Sequence, residues 1–227
     1  MNPDLKVIPD RILNLAIGAL SQANTHAVYS DPGREYWDHM CILNAAHAGE
    51  LFLKAIIARE HPLLIFKDLF SLDDNKGKLL DIETLIRRGR TLDFERLPQV
   101  LWATTGRRIP NRKCYEWVRL ARNSIQHFCA PEKDDLRALS LEFIYTIIDP
   151  LIMEVFGLFA IEYHEDPSVG YDYVVSSLLG RELKFSIPDD FTITEISMPE
   201  VLGGASAKYK NWIKKQMTKI GRLDLLS

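Results

Sequence analysis

Between Asn111 and Phe128 the chain reads NRKCYEWVRLARNSIQHF. Within it Cys114, Val118, Ala121, Ile125 and Phe128 recur at i, i+4, i+7, i+11 and i+14. A stripe of this period is the mark of an amphipathic helix with one face against a core; a half-buried strand would alternate every second residue. The same period carries Ile12, Leu15, Ala16, Ala19 and Leu20 through residues 10–24, with Asp10 as N-cap. It returns in a long helix over about 35–60, with Trp37, Cys41, Asn44, Ala48, Leu51 and Ala55 on one side. Asp31-Pro32-Gly33 and His61-Pro62 break the chain around that helix. Residues 62–80 read as a connector with a polar loop, and 81–106 as a shorter helical region in two pieces around Thr91. The acidic stretch from about 133 to 163, after a helix stop at Pro131, reads as the longest helix, kinked at Pro150. These periods predict an all-α fold, a helical bundle.

A chain of 227 residues with 47% hydrophobic content suffices for one good core and a small appendage. The appendage is expected at the C-terminal end. YDYVVSSLLGRE (171–182) reads as a helix. ELKFSI and FTITEI alternate apolar and polar residues around Pro188-Asp189-Asp190, which predicts a small β-hairpin. A basic helix follows over 206–220. The expected division is a bundle over 1–165 and an accessory region over 166–227. Cys41, Cys114 and Cys129 have no metal-like spacing, and their odd number argues against a disulfide framework. The first residues lack the pattern of a signal peptide. The apolar stretch 143–161 contains Asp149, Pro150 and Glu154, so it reads as a buried helix, not a membrane span. A cytoplasmic protein with no membrane association is the expectation.

The net charge of −3 hides a segregation of charge. Arg107, Arg108, Arg112, Lys113, Arg119 and Arg122 stand against the single acid Glu116. Lys208, Lys210, Lys214, Lys215, Lys219 and Arg222 form a second basic run, whereas nine acids occupy 131–166 against Lys133 and Arg137. Such runs can steer a polyanion, or can simply be solvated helix faces. Arg122 and His127 close the first run with R-x4-H spacing. Fifteen arginines and six histidines in this chain would yield roughly 0.4 such matches by chance. Two occur, the other being Arg34 and His39, so context must separate them. On an ideal helix Asn123 and His127 point about 160° from Ile125, outside the core, and Arg122 about 60° from it, at the stripe's margin. Arg122 and His127 themselves diverge by about 140°. A shared site therefore needs a loosened helix end, a wrapping arginine or a second copy of the chain.

Arg122, Asn123 and His127, late in an amphipathic helix, resemble the signature of HEPN (higher eukaryotes and prokaryotes nucleotide-binding) domains: an arginine, a polar residue, then a histidine. NAAHAGELFLKAIIAREHPLLIF (44–66) is similar to the long helix of that family, and the resemblance covers roughly residues 10–165. It implies a helical bundle that often dimerises, with two motifs facing a shared cleft. Many members are metal-independent endoribonucleases acting as toxins or antiviral effectors; others are inactive binding modules. The resemblance thus implies an endoribonuclease without cofactor or metal, homodimeric, with RNA as substrate and a cognate antitoxin or regulatory protein as further partner. A catalytically inactive nucleotide- or protein-binding module is the alternative. RNA cleavage without a metal uses the 2′-hydroxyl as nucleophile. Histidine, with a reference pKa of about 6.5, can move the proton near neutrality, and arginine can hold the phosphate as charge builds. His127 is the expected general base or acid, Arg122 the phosphate stabiliser and Asn123 the support. Arg108, Arg112, Lys113 and Arg119 would contact the RNA backbone.

On the long early helix His47, Glu50 and Lys54 form a polar line at i, i+3, i+7. The plain reading of Glu50–Lys54 is an ordinary i, i+4 ion pair. The functional reading turns the line toward the Arg122/His127 cleft to position His127. His39 and His47 share a face, but no cluster joins them into a metal site. P-loop, GxGxxG and GxSxG patterns are missing from the sequence.

Overall fold

Two long helices, α1 (Ile8–Val28) and α2 (Trp37–Glu60), begin the structure, a computed structural model that describes residues 2–29, 31, 33–34, 36–73, 79–129, 135–165, 168 and 170–226. Helix α2 is buried on more than one side: Cys41, Ile42, Ala45, Phe52, Ile56 and Ile57 are all at 1% exposure or less. Such a helix belongs inside a protein. The fold is all-α, relieved among the described residues by one two-stranded sheet. The chain forms two compact units, Met1–Ile17 with His47–Ile109, and Gly18–Ala46 with Pro110–Ser227. Residues 166–227 fall in the second unit together with 110–165. Pro32, Glu35, loop residues 74–78, Pro131 and Lys133 lie outside the described residues.

In the first unit, the His61 ring accepts the Leu63 N–H and opens a 3-10 turn, Pro62–Ile65. Strand β1 (Phe66–Lys67) follows. Helix α3 (Ile82–Arg88) is capped by Asp81, whose carboxylate accepts the Thr84 N–H at 2.7 Å. Strand β2 (Arg90–Thr91) then pairs antiparallel with β1, Phe66 opposite Thr91 and Lys67 opposite Arg90. Helix α4 (Leu97–Thr105) closes the unit and ends at Gly106, whose φ of 74° a glycine adopts without steric cost. The expected two-piece region around Thr91 is thus α3 and α4.

In the second unit, α5 (Arg112–His127) begins where the Asn111 side chain accepts the Cys114 N–H. Asn111 also donates to Glu142 at 2.9 Å. Helix α6 (Leu136–Phe143) runs through a π-helical stretch, Ile144–Ile148, into α7 (Asp149–Phe156). The helix expected over 133–163 is therefore shorter. At Pro150, where a kink is expected, the helix continues, because the wider winding just before the proline re-routes the backbone bonds, with Asp149 N–H reaching Ile144 C=O. Helices α8 (Asp172–Gly180), α9 (Met198–Val201) and α10 (Ala207–Ile220) complete the unit. Tyr209, Ile213 and Met217 form the buried face of α10, and its lysines point outward.

The expected hairpin at 183–196 does not form: no strand occurs there. The N–H groups that a ladder would use are taken by buried acids. Asp149 accepts the amides of Ala160 at 3.0 Å and Ser186 at 2.6 Å, and Asp172 accepts those of Thr194 and Glu195. The alternating apolar residues still face inward, as Phe185, Phe191 and Ile193 are buried. Phe191 lies parallel to Tyr171 at 5.5 Å, and Phe185 meets Trp212 edge-on at 5.9 Å. The tail aromatics pack on one another. Buried Asn24 donates both side-chain N–H groups to the carbonyls of Ala160 and Tyr163, and its oxygen accepts from the Tyr145 hydroxyl.

Candidate active site

Helix α5 buries Cys114, Tyr115, Val118 and Ala121. This is the stripe read from the sequence with one addition and two losses, the first loss being Ile125, which is only half-buried. Tyr115 joins the core. Phe128 leaves it, at 89% exposure, because the helix ends at His127 and Phe128 takes φ −149° and ψ −79°, outside helical space. The end is held by Phe128 N–H to Ser124 C=O at 2.8 Å and by the Ser124 hydroxyl to Cys129 C=O at 2.6 Å.

On this helix end Arg122 is half-buried and donates to the Asn123 side-chain oxygen at 3.3 Å. That bond orients the guanidinium beside its neighbour. His127 is exposed, and no hydrogen bond joins it to Arg122 or Asn123. The structure therefore brings two of the three candidates together and leaves the imidazole open to whatever approaches the helix end. The other R-x4-H match differs: Arg34 is held by Asp31 at 3.0 Å within its own turn, and lies 5.8 Å from the Trp37 ring.

The basic run is partly self-neutralised. Glu116 takes Arg112 at 2.9 Å and Arg119 at 2.8 Å, and the Arg119 bond, with both nearby charges, holds its carboxyl below the usual range. Lys113 lies over the half-exposed Trp117 ring at 4.6 Å, and in the first unit Arg108 lies over Trp102 at 4.8 Å.

The His47, Glu50, Lys54 line belongs to the first unit. Lys54, at 6% exposure, donates to Glu50 at 2.6 Å and to the Thr91 hydroxyl at 2.9 Å, which ties α2 to β2. This is the i, i+4 ion pair of the plain reading, extended by one tertiary bond. His47 is exposed and takes no part in it. Among the described residues no three His, Cys, Asp or Glu side chains gather as a metal site would need. Burial pushes the Cys41 and Cys114 thiols up to about 12, so neither is a ready thiolate.

Sequence reasoning missed one polar cluster. Lys67, Asp68, Ser71, Arg88 and Arg90 line a cavity of about 370 Å³ in the first unit. Its only signal in the sequence is a run of arginines near 87–90, with the other wall twenty residues away. In comparison with known proteins, no family model, no curated protein and no solved structure matches this chain.

Proposed function

We propose that the chain is a metal-independent endoribonuclease of the HEPN type, acting in the cytoplasm in toxin or antiviral defence, with a homodimer completing the site. The observation that carries this reading is the end of α5, where an oriented Arg122–Asn123 pair and an unengaged His127 share the last two turns. Arg122 would hold the scissile phosphate, and Asn123 would keep the guanidinium in place. His127 would take the proton from the 2′-hydroxyl, or return one to the leaving 5′-oxygen, and a 2′,3′-cyclic phosphate would result. The divergence of Arg122 and His127 around the helix is the reason for invoking a second copy, so that one chain's arginine meets the other's histidine.

A second reading, a non-catalytic protein-binding module, is favoured by a different observation: Trp117 and Leu120, one turn apart on the outer face of α5, are 52% and 54% exposed. The two readings separate in one experiment. Purified wild type, His127→Ala and Arg122→Ala are incubated with RNA in EDTA and the product ends are mapped. Cleavage by wild type with cyclic phosphate ends, reduced about 100-fold or more in each variant, is expected. Equal cleavage by all three would overturn the role of His127. No cleavage by any, with the fold intact across a broad RNA panel, would favour the binding module.

A further inference from the structure

The short sheet of the first unit sets two cations against each other. Lys67 on β1 stands directly opposite Arg90 on β2, and like charges at facing positions of an antiparallel pair are destabilising. Lys67 is relieved by Asp93 at 2.9 Å, whose carboxyl that bond holds below its usual range. Arg90 has no such relief: among the described residues its guanidinium has no hydrogen-bond or ion-pair partner. Among the described residues Arg88 donates to a neutral acceptor, the Ser71 carbonyl at 3.1 Å, which fixes its place and brings it no opposite charge. Gly89 sits between the two arginines, and a Cβ there would collide with the Leu85 carbonyl oxygen. Only glycine lets the chain turn directly from α3 into β2 with an arginine on either side.

These cations line the 370 Å³ cavity, and among the described residues the Asp68 carboxylate is the one lining acid. The opposite wall is a 3-10 turn, Leu69–Leu72, entered through Asp68 in the left-handed region at φ 57°. The same turn carries Phe70, a large apolar ring at 97% exposure. An exposed aromatic on the turn that walls a cleft lined by three cations supplies the two elements that hold single-stranded nucleic acid: cations for phosphates and a ring for a base.

From this arrangement we infer that the Lys67/Arg88/Arg90 cavity, together with Phe70 on the turn that walls it, is a binding site for single-stranded nucleic acid that uses none of the residues at the end of α5. Arg88 and Arg90 take a backbone phosphate between them, and Phe70 stacks one unpaired base. An anion in the cavity also relieves the facing Lys67 and Arg90, so occupancy tightens the sheet that frames it.

The test measures binding of a short unstructured RNA by fluorescence anisotropy, in an Arg122→Ala/His127→Ala background that cannot cut it. Arg88→Ala/Arg90→Ala is expected to weaken binding about tenfold or more and, since the two share one phosphate, to lower the salt slope by about one. Phe70→Ala is expected to weaken single-strand binding about tenfold and to leave duplex binding unchanged. Arg87→Ala, which loses only the exposed pair with Glu83, is the control and should bind as the parent does. Unchanged affinity in the arginine double variant, or no RNA binding by the parent, overturns the site. Loss with the arginines but not with Phe70 overturns the nucleic-acid assignment and leaves a plain anion site. Cleavage by the otherwise wild-type chain reads on Arg122 and His127 separately, so failure here does not count against them.

Discussion

The end of α5 and the stretch 183–196 are both irregular in backbone, and they treat their polar groups in opposite ways. In 183–196 the amides of Ser186, Thr194 and Glu195 are captured by the carboxylates of Asp149 and Asp172, which are 1% and 3% exposed. At the end of α5 the local bonds close the backbone, and His127 and Phe128 are left outside it. Irregular backbone fastened by buried acids is structural; irregular backbone closed on itself, with its side chains released, is where chemistry can be placed. The contrast does not depend on how mobile either segment is. It depends on whether side chains are drawn in to bond the backbone, as Asp149 and Asp172 are, or left exposed, as His127 and Phe128 are.

Substitutions can break this contrast at either end. The largest effect on stability belongs to Asp172→Ala, which strands two amides that now bond a carboxylate; a loss of about 3 kcal/mol in urea unfolding is expected. Asp149 gives a pH-dependent effect. Burial raises its carboxyl to about 6 from an ordinary 3.8. The folded state therefore holds the proton more tightly than the unfolded chain does. The resulting stabilisation is fully present below the unfolded value and is lost as pH rises through about 6. The stability of wild type minus that of Asp149→Asn should fall by about 2 kcal/mol between pH 4 and pH 7. A flat difference would mean the carboxylate is better solvated by its amides than its burial implies. The smallest effects are expected at the end of α5, where His127→Ala and Phe128→Ser should each change stability by less than about 0.5 kcal/mol. A larger loss at Phe128 would mean that its ring is covered in solution, and analytical ultracentrifugation would then show whether a second copy covers it.

Much of the helical fold was legible because its signals are local. The stripe on 111–128 and the basic helix read over 206–220 match α5 and α10 to within a residue or two of their observed bounds. The hairpin at 183–196 was misread for a physical reason. Alternation reports which side chains face inward, and Phe185, Phe191 and Ile193 do, but it does not report what the backbone amides bond. Their acceptors, Asp149 and Asp172, lie tens of residues earlier in the chain, and a buried acid looks like any other acid in a sequence. The site divides in the same way. Arg122 and Asn123 bond as sequence neighbours, whereas Lys67 and Arg90 face each other only because β1 and β2 pair.

The side chain of Asn24 bonds the backbone of Ala160, 136 positions later. Its unit is built from Gly18–Ala46 and Pro110–Ser227, with most of the other unit threaded between them. On a ribosome adding about 5–20 residues per second, Asn24 waits on the order of ten seconds for its partners to be made. The segment His47–Ile109 needs only the first seventeen residues, which already exist when it emerges. The order of synthesis thus lets the first unit settle before the second is complete, and for that interval the apolar residues of 18–46 wait without their partners from 110–227.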